Sequence, residues 1–109
     1  NPMLGDKNGG LTLLDSSGVL LGISRNAKYH NQQVSLPPGG FLLLYSDALT
    51  ECRNAANGEQ FGQSAVMELV GKAATEHAPD PVQVIVKPFL EQVEQPLRDD
   101  LTLIWIGRR

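Results

Sequence analysis

Acidic residues stand next to two strongly apolar segments of this sequence. Asp47 follows the segment 41–46, and Asp99 and Asp100 directly precede the segment 101–104. If these segments are neighbouring strands of one sheet, their carboxylates meet at one edge of it. Carboxylates that close repel one another unless a cation joins them, and hard divalent ions such as Mg²⁺ and Mn²⁺ favour such oxygen ligands. The pattern thus allows a metal site; the alternative is that Asp47 caps or turns the chain and that Asp99 and Asp100 form a solvated turn.

Nucleophilic catalysis by cysteine has little support. Cys52 is the single cysteine of the chain, so neither an intrachain disulfide nor a cysteine-rich metal site can form, which suits a reducing compartment. A nucleophilic thiol would need a histidine beside it. The only candidates, His30 and His77, lie in polar stretches. We therefore interpret Cys52 as a small side chain without a catalytic role.

The first half of the chain places turn residues between β-prone runs, which predicts antiparallel strands. The runs 11–14 and 19–23 flank a polar turn and are typical of a hairpin. A third strand is expected at 33–36, before the turn 37–40, in which proline fixes φ and glycine can supply a positive φ. The segment 41–45 is apolar without alternation, which predicts a central strand covered on both faces.

In the second half of the chain, apolar residues recur at the spacing of an α-helix. Ser64 is the expected amino-terminal cap of a helix that ends near Thr75. A second amphipathic helix is expected to begin at Asp80, an aspartate cap that a proline follows, and Pro88 would kink or shorten it. The segment 101–106 is again β-like. Antiparallel strands followed by two helices and a final strand predict an α+β layered domain.

Composition limits the classes of function. The chain has 9 lysines and arginines against 12 aspartates and glutamates, so its net charge of -3 gives no basic field for nucleic acid. No apolar run approaches the roughly 20 residues that span a bilayer, so neither a membrane segment nor a signal peptide is expected. The chain begins at Asn1 without an initiator methionine, which indicates a cut inside a longer protein. We expect residues 1–109 to form a single partial domain of a cytoplasmic protein.

Two motifs resemble the PPM phosphatases, also called protein phosphatase 2C. The segment 36–51, continued by 53–56 and 59–62, is similar to the late motif of that family, and is closest to the bacterial branch typified by SpoIIE and RsbU. The segment 99–104 resembles the final motif, an acidic pair before a terminal strand. The order of the motifs and the helical insert between them fit the family over nearly the whole chain. The resemblance implies the carboxy-terminal portion of an αββα sandwich.

The resemblance also implies a chemistry and a set of site residues. In the family, water activated by two metal ions, Mn²⁺ or Mg²⁺, attacks the phosphorus of a phosphate ester. Asp47 and Asp99 match the metal-binding aspartates of the two motifs and would be the catalytic residues. Asp100 stands where relatives carry Asp or Asn, and would support the metal site. Glu51 is expected to be structural and to fix the turn after Asp47.

The same resemblance implies a substrate class. The expected reaction is dephosphorylation of phosphoserine or phosphothreonine proteins in bacterial signalling. In this branch of the family the substrate is often an anti-sigma-factor antagonist.

Two departures from the family pattern leave an alternative open. Ala48 stands where the family has glycine; if the backbone there needs a positive φ or a close approach to a ligand, alanine would cost roughly 1 kcal/mol or more and could shift Asp47. The earlier acidic motif of the family is absent, so the two-metal site is expected to be incomplete in this chain. The segment 5–10 resembles that motif only superficially, and we expect a loop or hairpin turn there. The alternative is a degenerate, non-catalytic module that binds a regulatory protein.

An uncovered sheet face would favour self-association. A half sandwich leaves one apolar sheet face uncovered, so the chain alone is expected to dimerise, swap strands or aggregate. A stand-alone small-molecule binder is a third hypothesis, but no motif supports it.

Overall fold

A four-stranded antiparallel sheet carries a layer of helices on one face. The computed structural model describes residues 2–14, 22, 24–29 and 31–109. The strand order in the sheet is β2-β1-β3-β4, and the α+β class expected from the sequence is confirmed. The elements in chain order are β1 (Met3–Gly5), β2 (Leu11–Leu13), β3 (Phe41–Tyr45), α1 (Ala48–Glu51), α2 (Gln63–Glu76), α3 (Pro81–Gln92) and β4 (Leu103–Gly107).

The amino-terminal hairpin is formed by β1 and β2. Met3 pairs with Leu13 across the two antiparallel strands. In the turn between them, Oδ1 of Asp6 accepts hydrogen bonds from the backbone N–H groups of Asn8 at 2.8 Å and Gly10 at 3.0 Å. A hairpin turn therefore occupies 5–10, as expected. The partner that the sequence predicted for β2, the run 19–23, lies outside the described residues except for Gly22.

The strand expected at 33–36 was a wrong prediction. Residues 33–36 form no strand, and they cannot pair with β3 as a hairpin, because β1 and β4 occupy its two sides. The turn that follows is confirmed. The N–H of Gly40 donates to the carbonyl of Pro37 at 2.8 Å, and Gly39 between them has a φ of 80°, a conformation that glycine enters without steric cost.

The central position of β3 is confirmed, but the described helices cover only one of its faces. Phe41 and Leu43 are 2% and 0% exposed and point towards the helices. The opposite surface, which we call the outer face, is half-buried along β3, while β4 exposes 50% of Ile104 and 45% of Ile106 there. Its apolar side chains, judged by the strand pairing, are Leu4, Leu42, Leu44, Ile104 and Ile106.

The two long helices begin differently. α2 starts after Gly62, whose carbonyl accepts from the N–H of Val66 at 3.2 Å, so Ser64 lies inside the first turn and is not the cap. α3 has the predicted cap, because Oδ1 of Asp80 accepts from the N–H of Gln83 at 3.3 Å. This helix continues through its internal proline for 12 residues and is not shortened by it. No helix in the described part of the chain is long and apolar enough to cross a bilayer.

One core lies between the helices and the inner face of the sheet. The ring of Phe61 meets that of Phe89 edge to face, with 5.2 Å between centroids. The rings of Phe41 and Trp105 are stacked at 3.8 Å. Burying a side chain of this size stabilises the fold by about 1.5–3 kcal/mol, so the core fixes the position of β3 and β4. Its fully buried large side chains are Phe89, Met3, Leu43, Leu49, Ile85, Val66 and Val70.

Candidate active site

Ser46 joins the ends of the two central strands. Its hydroxyl donates to the carbonyl of Asp100 at 3.0 Å and accepts from the N–H of Thr102 at 3.0 Å. Its N–H also donates to the carbonyl of Thr102 at 2.9 Å. Paired strands lie about 4.8 Å apart, so the main chain around Asp100 is a close neighbour of Ser46. The sheet therefore brings Asp47 to the same edge as Asp99 and Asp100.

Asp47 turns the chain with its backbone and leaves its carboxylate available. The residue occupies the N-cap position of α1, and its carbonyl accepts from the N–H groups of Glu51 at 2.9 Å and Thr50 at 3.1 Å. Its side chain makes no capping hydrogen bond, and the residue is exposed. The side chain of Asp47 therefore does not cap the following turn, which was the alternative role for this residue.

The acidic pair before β4 is also exposed. Oδ1 of Asp99 accepts from the N–H of Asp100 at 2.8 Å, and Oδ2 makes no hydrogen bond with the described residues. A backbone donor thus orients this carboxylate and leaves one oxygen for another partner. The structural contact of Asp100 is made by its carbonyl, which Ser46 binds. The ligand roles of both residues stay predictions.

The alanine in the position of the family's glycine is not strained. Ala48 opens α1 and is 3% exposed. Among the described non-glycine residues, only His77 has a positive φ, so the backbone cost considered for Ala48 does not arise. The side chain of Glu51 is exposed and makes no hydrogen bond or ion pair with the described residues. The backbone N–H of Glu51, which donates to the carbonyl of Asp47 at 2.9 Å, closes the turn instead.

A cleft of about 550 Å³ opens beside Asp99. Its two walls are the end of α1 and the segment 94–99, and a backbone hydrogen bond of 2.8 Å from Glu94 N–H to the carbonyl of Arg53 ties them together. Arg98 also lines the cleft and makes no hydrogen bond or ion pair with the described residues. A free guanidinium next to the acidic edge is a suitable partner for an anionic group of a substrate.

Cys52 lines the same cleft but is poorly suited to act as a nucleophile. Burial raises the pKa of its thiol, and the negative charge of Asp99 raises that pKa further. The thiolate is the reactive form, so a raised pKa lowers reactivity near neutral pH. His77 lines a different cleft, and His30 lies outside the described residues. No described histidine therefore accompanies the thiol.

The oxygen donors at this edge fit part of a metal ligand set. Across the described residues, no group of three or more histidine, cysteine, aspartate or glutamate side chains is arranged to hold a metal ion. Mg²⁺ sites commonly use one or two carboxylates and complete their coordination with water and phosphate. Asp47 and Asp99 offer the right chemistry for such an ion.

Comparisons with known proteins agree with this architecture. The family described as Stage II sporulation protein E (SpoIIE) matches residues 1–109. Phosphoserine phosphatase RsbU of Bacillus subtilis (strain 168) is 31% identical over 96 residues, which are 88% of this chain and 28% of RsbU. The structure of the SiaA-PP2C domain of Pseudomonas aeruginosa has a TM-score of 0.76 at 23% identity, over 99% of this chain and 43% of that chain. This last similarity shows the fold.

The fold and the family together define the class of protein. The four-stranded antiparallel sheet with its helices has the fold of part of the SiaA-PP2C domain. The chain belongs to the SpoIIE family and is similar to RsbU. It spans 28% of RsbU and 43% of the SiaA-PP2C chain.

Proposed function

We propose that this chain supplies part of the active site of a metal-dependent protein serine/threonine phosphatase in bacterial signalling. Asp47 and Asp99 are the proposed catalytic metal ligands, and Asp100 supports them. The observation that supports this most is the pair of hydrogen bonds made by the Ser46 hydroxyl, which hold the two acidic segments at one edge. Mn²⁺ or Mg²⁺ bound there would lower the pKa of a water molecule and neutralise charge on the phosphoryl oxygens.

The remaining ligands are proposed to come from the family's earlier acidic motif, which residues 1–109 do not contain. In the complete site, the backbone of α1 fixes Asp47 and the N–H of Asp100 orients the carboxylate of Asp99. Arg98, one residue before Asp99, would attract the phosphoryl group or an acidic side chain of the substrate into the adjoining cleft.

The proposed substrate is a phosphoserine or phosphothreonine protein. The description of RsbU as a phosphoserine phosphatase supports this choice. Within that class, an anti-sigma-factor antagonist is the proposed physiological substrate, and the cytoplasm is the proposed location.

The test is Mn²⁺-dependent hydrolysis of a generic phosphate ester by the parent protein extended upstream to include the earlier acidic motif. Asp47→Asn and Asp99→Asn should each lower turnover at least about 100-fold, because a catalytic metal contributes several kcal/mol to the transition state. Asp80→Asn is the matched control: the same charge is lost, but asparagine also caps α3 well, so turnover should stay near wild type.

Either variant could lose activity because it is misfolded, so Mn²⁺ binding is measured as well. Mn²⁺ should raise the melting temperature of the wild-type parent and of Asp80→Asn, and this rise should shrink in Asp47→Asn and Asp99→Asn. Wild-type activity without added metal, or full activity in both site variants, would refute the assignment.

A degenerate module that binds a regulatory protein is the second candidate, and the outer face favours it. Ile104 and Ile106 remain about half exposed there, and such apolar patches often mark protein interfaces. If the intact parent shows neither turnover nor any Mn²⁺-dependent change up to millimolar metal, this candidate replaces the phosphatase.

A further inference from the structure

A second cleft lies at the end of the sheet opposite the acidic edge. It is an open depression with a volume of about 520 Å³. We call it the distal cleft. β3 runs from Phe41 at this cleft to Tyr45 beside the acidic edge, and four steps of about 3.3 Å put the two ends roughly 13 Å apart. The distal cleft is therefore separate from the proposed active site. Six of its lining residues support the inference: Phe41, Trp105, Ala74, Pro79, Arg108 and Arg109.

The walls of the distal cleft are about half apolar and include one accessible aromatic ring. Trp105 is half-buried, and its indole stacks on the ring of Phe41 at 3.8 Å with 13° between the planes. Phe41 itself is only 2% exposed, so Trp105 is the ring that a ligand can reach. Ala74 and Pro79 provide small apolar surface opposite the strands. A flat apolar molecule fits such walls better than a highly hydrated one.

The charge of the distal cleft is cationic, although the chain as a whole is acidic. Arg108 and Arg109 line it, and none of its described lining side chains is an aspartate or a glutamate. Nearby acids along the chain have other partners: Glu76 lies 3.9 Å from Lys72, and Asp80 accepts from the N–H of α3. The cleft is thus complementary to an anion.

The two arginines have different functions in this cleft. Nη1 of Arg108 donates to the carbonyl of Leu36 at 2.7 Å, and the backbone of Arg108 exchanges hydrogen bonds of 2.8 and 2.9 Å with Gly39 and Gly40. Arg108 therefore anchors the turn before β3. Arg109 makes no hydrogen bond or ion pair with the described residues, so its guanidinium can bind a ligand.

We propose that the distal cleft binds a small anion with a flat aromatic body, such as an aromatic carboxylate, with Trp105 contacting the ring and Arg109 binding the anionic group. The proposal does not depend on the proposed phosphatase activity.

Trp105 allows a direct test, because it is the single tryptophan of the chain. The indole N–H resonance of the ¹⁵N-labelled chain is followed by NMR during titration with 2-naphthoate and, separately, with the neutral 2-naphthamide. We expect a saturable shift of this resonance with 2-naphthoate. The anion should bind about threefold or more tightly than the amide, as one or two exposed ion pairs provide.

Variants of the chain separate the two parts of the proposal. Arg109→Gln should remove most of the preference for the anion, whereas Lys87→Gln, the same change on an exposed residue of α3 away from the cleft, should keep it. Ala78→Leu, which places a larger side chain in the cleft, should weaken both ligands. Arg108 is left unchanged because it anchors the turn.

Three results would overturn the proposal. One is an indole resonance that does not shift, or shifts without saturating. Another is equal affinity for 2-naphthoate and 2-naphthamide in the wild-type chain. The third is a shift confined to Ile104 and Ile106, which would place the ligand on the outer face.

Discussion

Replacing Ser46 by alanine should loosen the acidic edge, and the structure gives the size of the effect. The hydroxyl makes two hydrogen bonds of 3.0 Å, one to the carbonyl of Asp100 and one from the N–H of Thr102. Each such bond contributes about 0.5–1.5 kcal/mol, so Ser46→Ala should lower the free energy of unfolding by about 1–3 kcal/mol. For a domain near this size, 1 kcal/mol corresponds to roughly 4–8 °C in melting temperature.

Urea unfolding of the chain, at one fixed chain concentration, measures this loss. Ser64→Ala is the matched control, because Ser64 is exposed in the first turn of α2 and alanine favours helix by a few tenths of a kcal/mol. In the extended parent, Ser46→Ala should also weaken the Mn²⁺-dependent rise in melting temperature. If Ser46→Ala costs no more than Ser64→Ala, the hydroxyl does not hold the strands together and the reasoning about the edge fails.

Three further measurements test other parts of the structure. Asp99→Asn should lower the pKa of the Cys52 thiol, so iodoacetamide should alkylate the variant faster at a fixed mildly alkaline pH. The raised pKa also means that the folded chain loses stability as the pH rises through it. Ile104→Thr with Ile106→Thr should reduce self-association in sedimentation velocity, because both side chains are about half exposed on the outer face. Phe89→Ala, at a fully buried position, should cost about 3–5 kcal/mol in urea unfolding.

Each of these measurements has a control and a contrary outcome. Asp47→Asn should leave the alkylation rate of Cys52 unchanged. If Asp47→Asn and Asp99→Asn accelerated alkylation equally, the cause would be a general loosening of the structure and not the charge of Asp99. Leu13→Thr changes an apolar side chain that is 38% exposed away from the outer face, and should not reduce self-association. Leu90→Ala, also 38% exposed, should cost far less than Phe89→Ala. A monomeric wild-type chain would contradict the expected association.

The sequence was informative where one local pattern decided the structure. The uninterrupted apolar run of β3 and the aspartate-proline start of α3 both predicted their elements correctly. Prediction failed where the outcome depended on distant partners. β1 has only 3 residues, too few for a period, and it occupies a side of β3 that a hairpin partner at 33–36 would need. The cap expected at Ser64 was wrong because Gly62, with a φ of 86°, already turns the chain into α2.

The candidate site was predictable in its residue types but not in its construction. Two aspartates beside apolar strands suggested that they share an edge, and the pairing of β3 with β4 places them there. The importance of Ser46 was not visible, because its bond partners Asp100 and Thr102 lie 54 and 56 residues further along the chain. The sequence also did not show that the backbone at Ala48 is unstrained. The φ angle there is set by α1, a short helix that the local sequence only weakly predicts.

The register between β3 and β4 connects the core to the acidic edge. β4 is apolar on both faces, so alternation of polar and apolar residues cannot by itself set its register. A slip by one residue would move Trp105 to the outer face, lose its stack on Phe41 and separate Ser46 from its partners. The stack at one end and the serine at the other therefore specify the same register. Because Asp99 lies only four residues before β4, that register also affects how closely its carboxylate approaches Asp47.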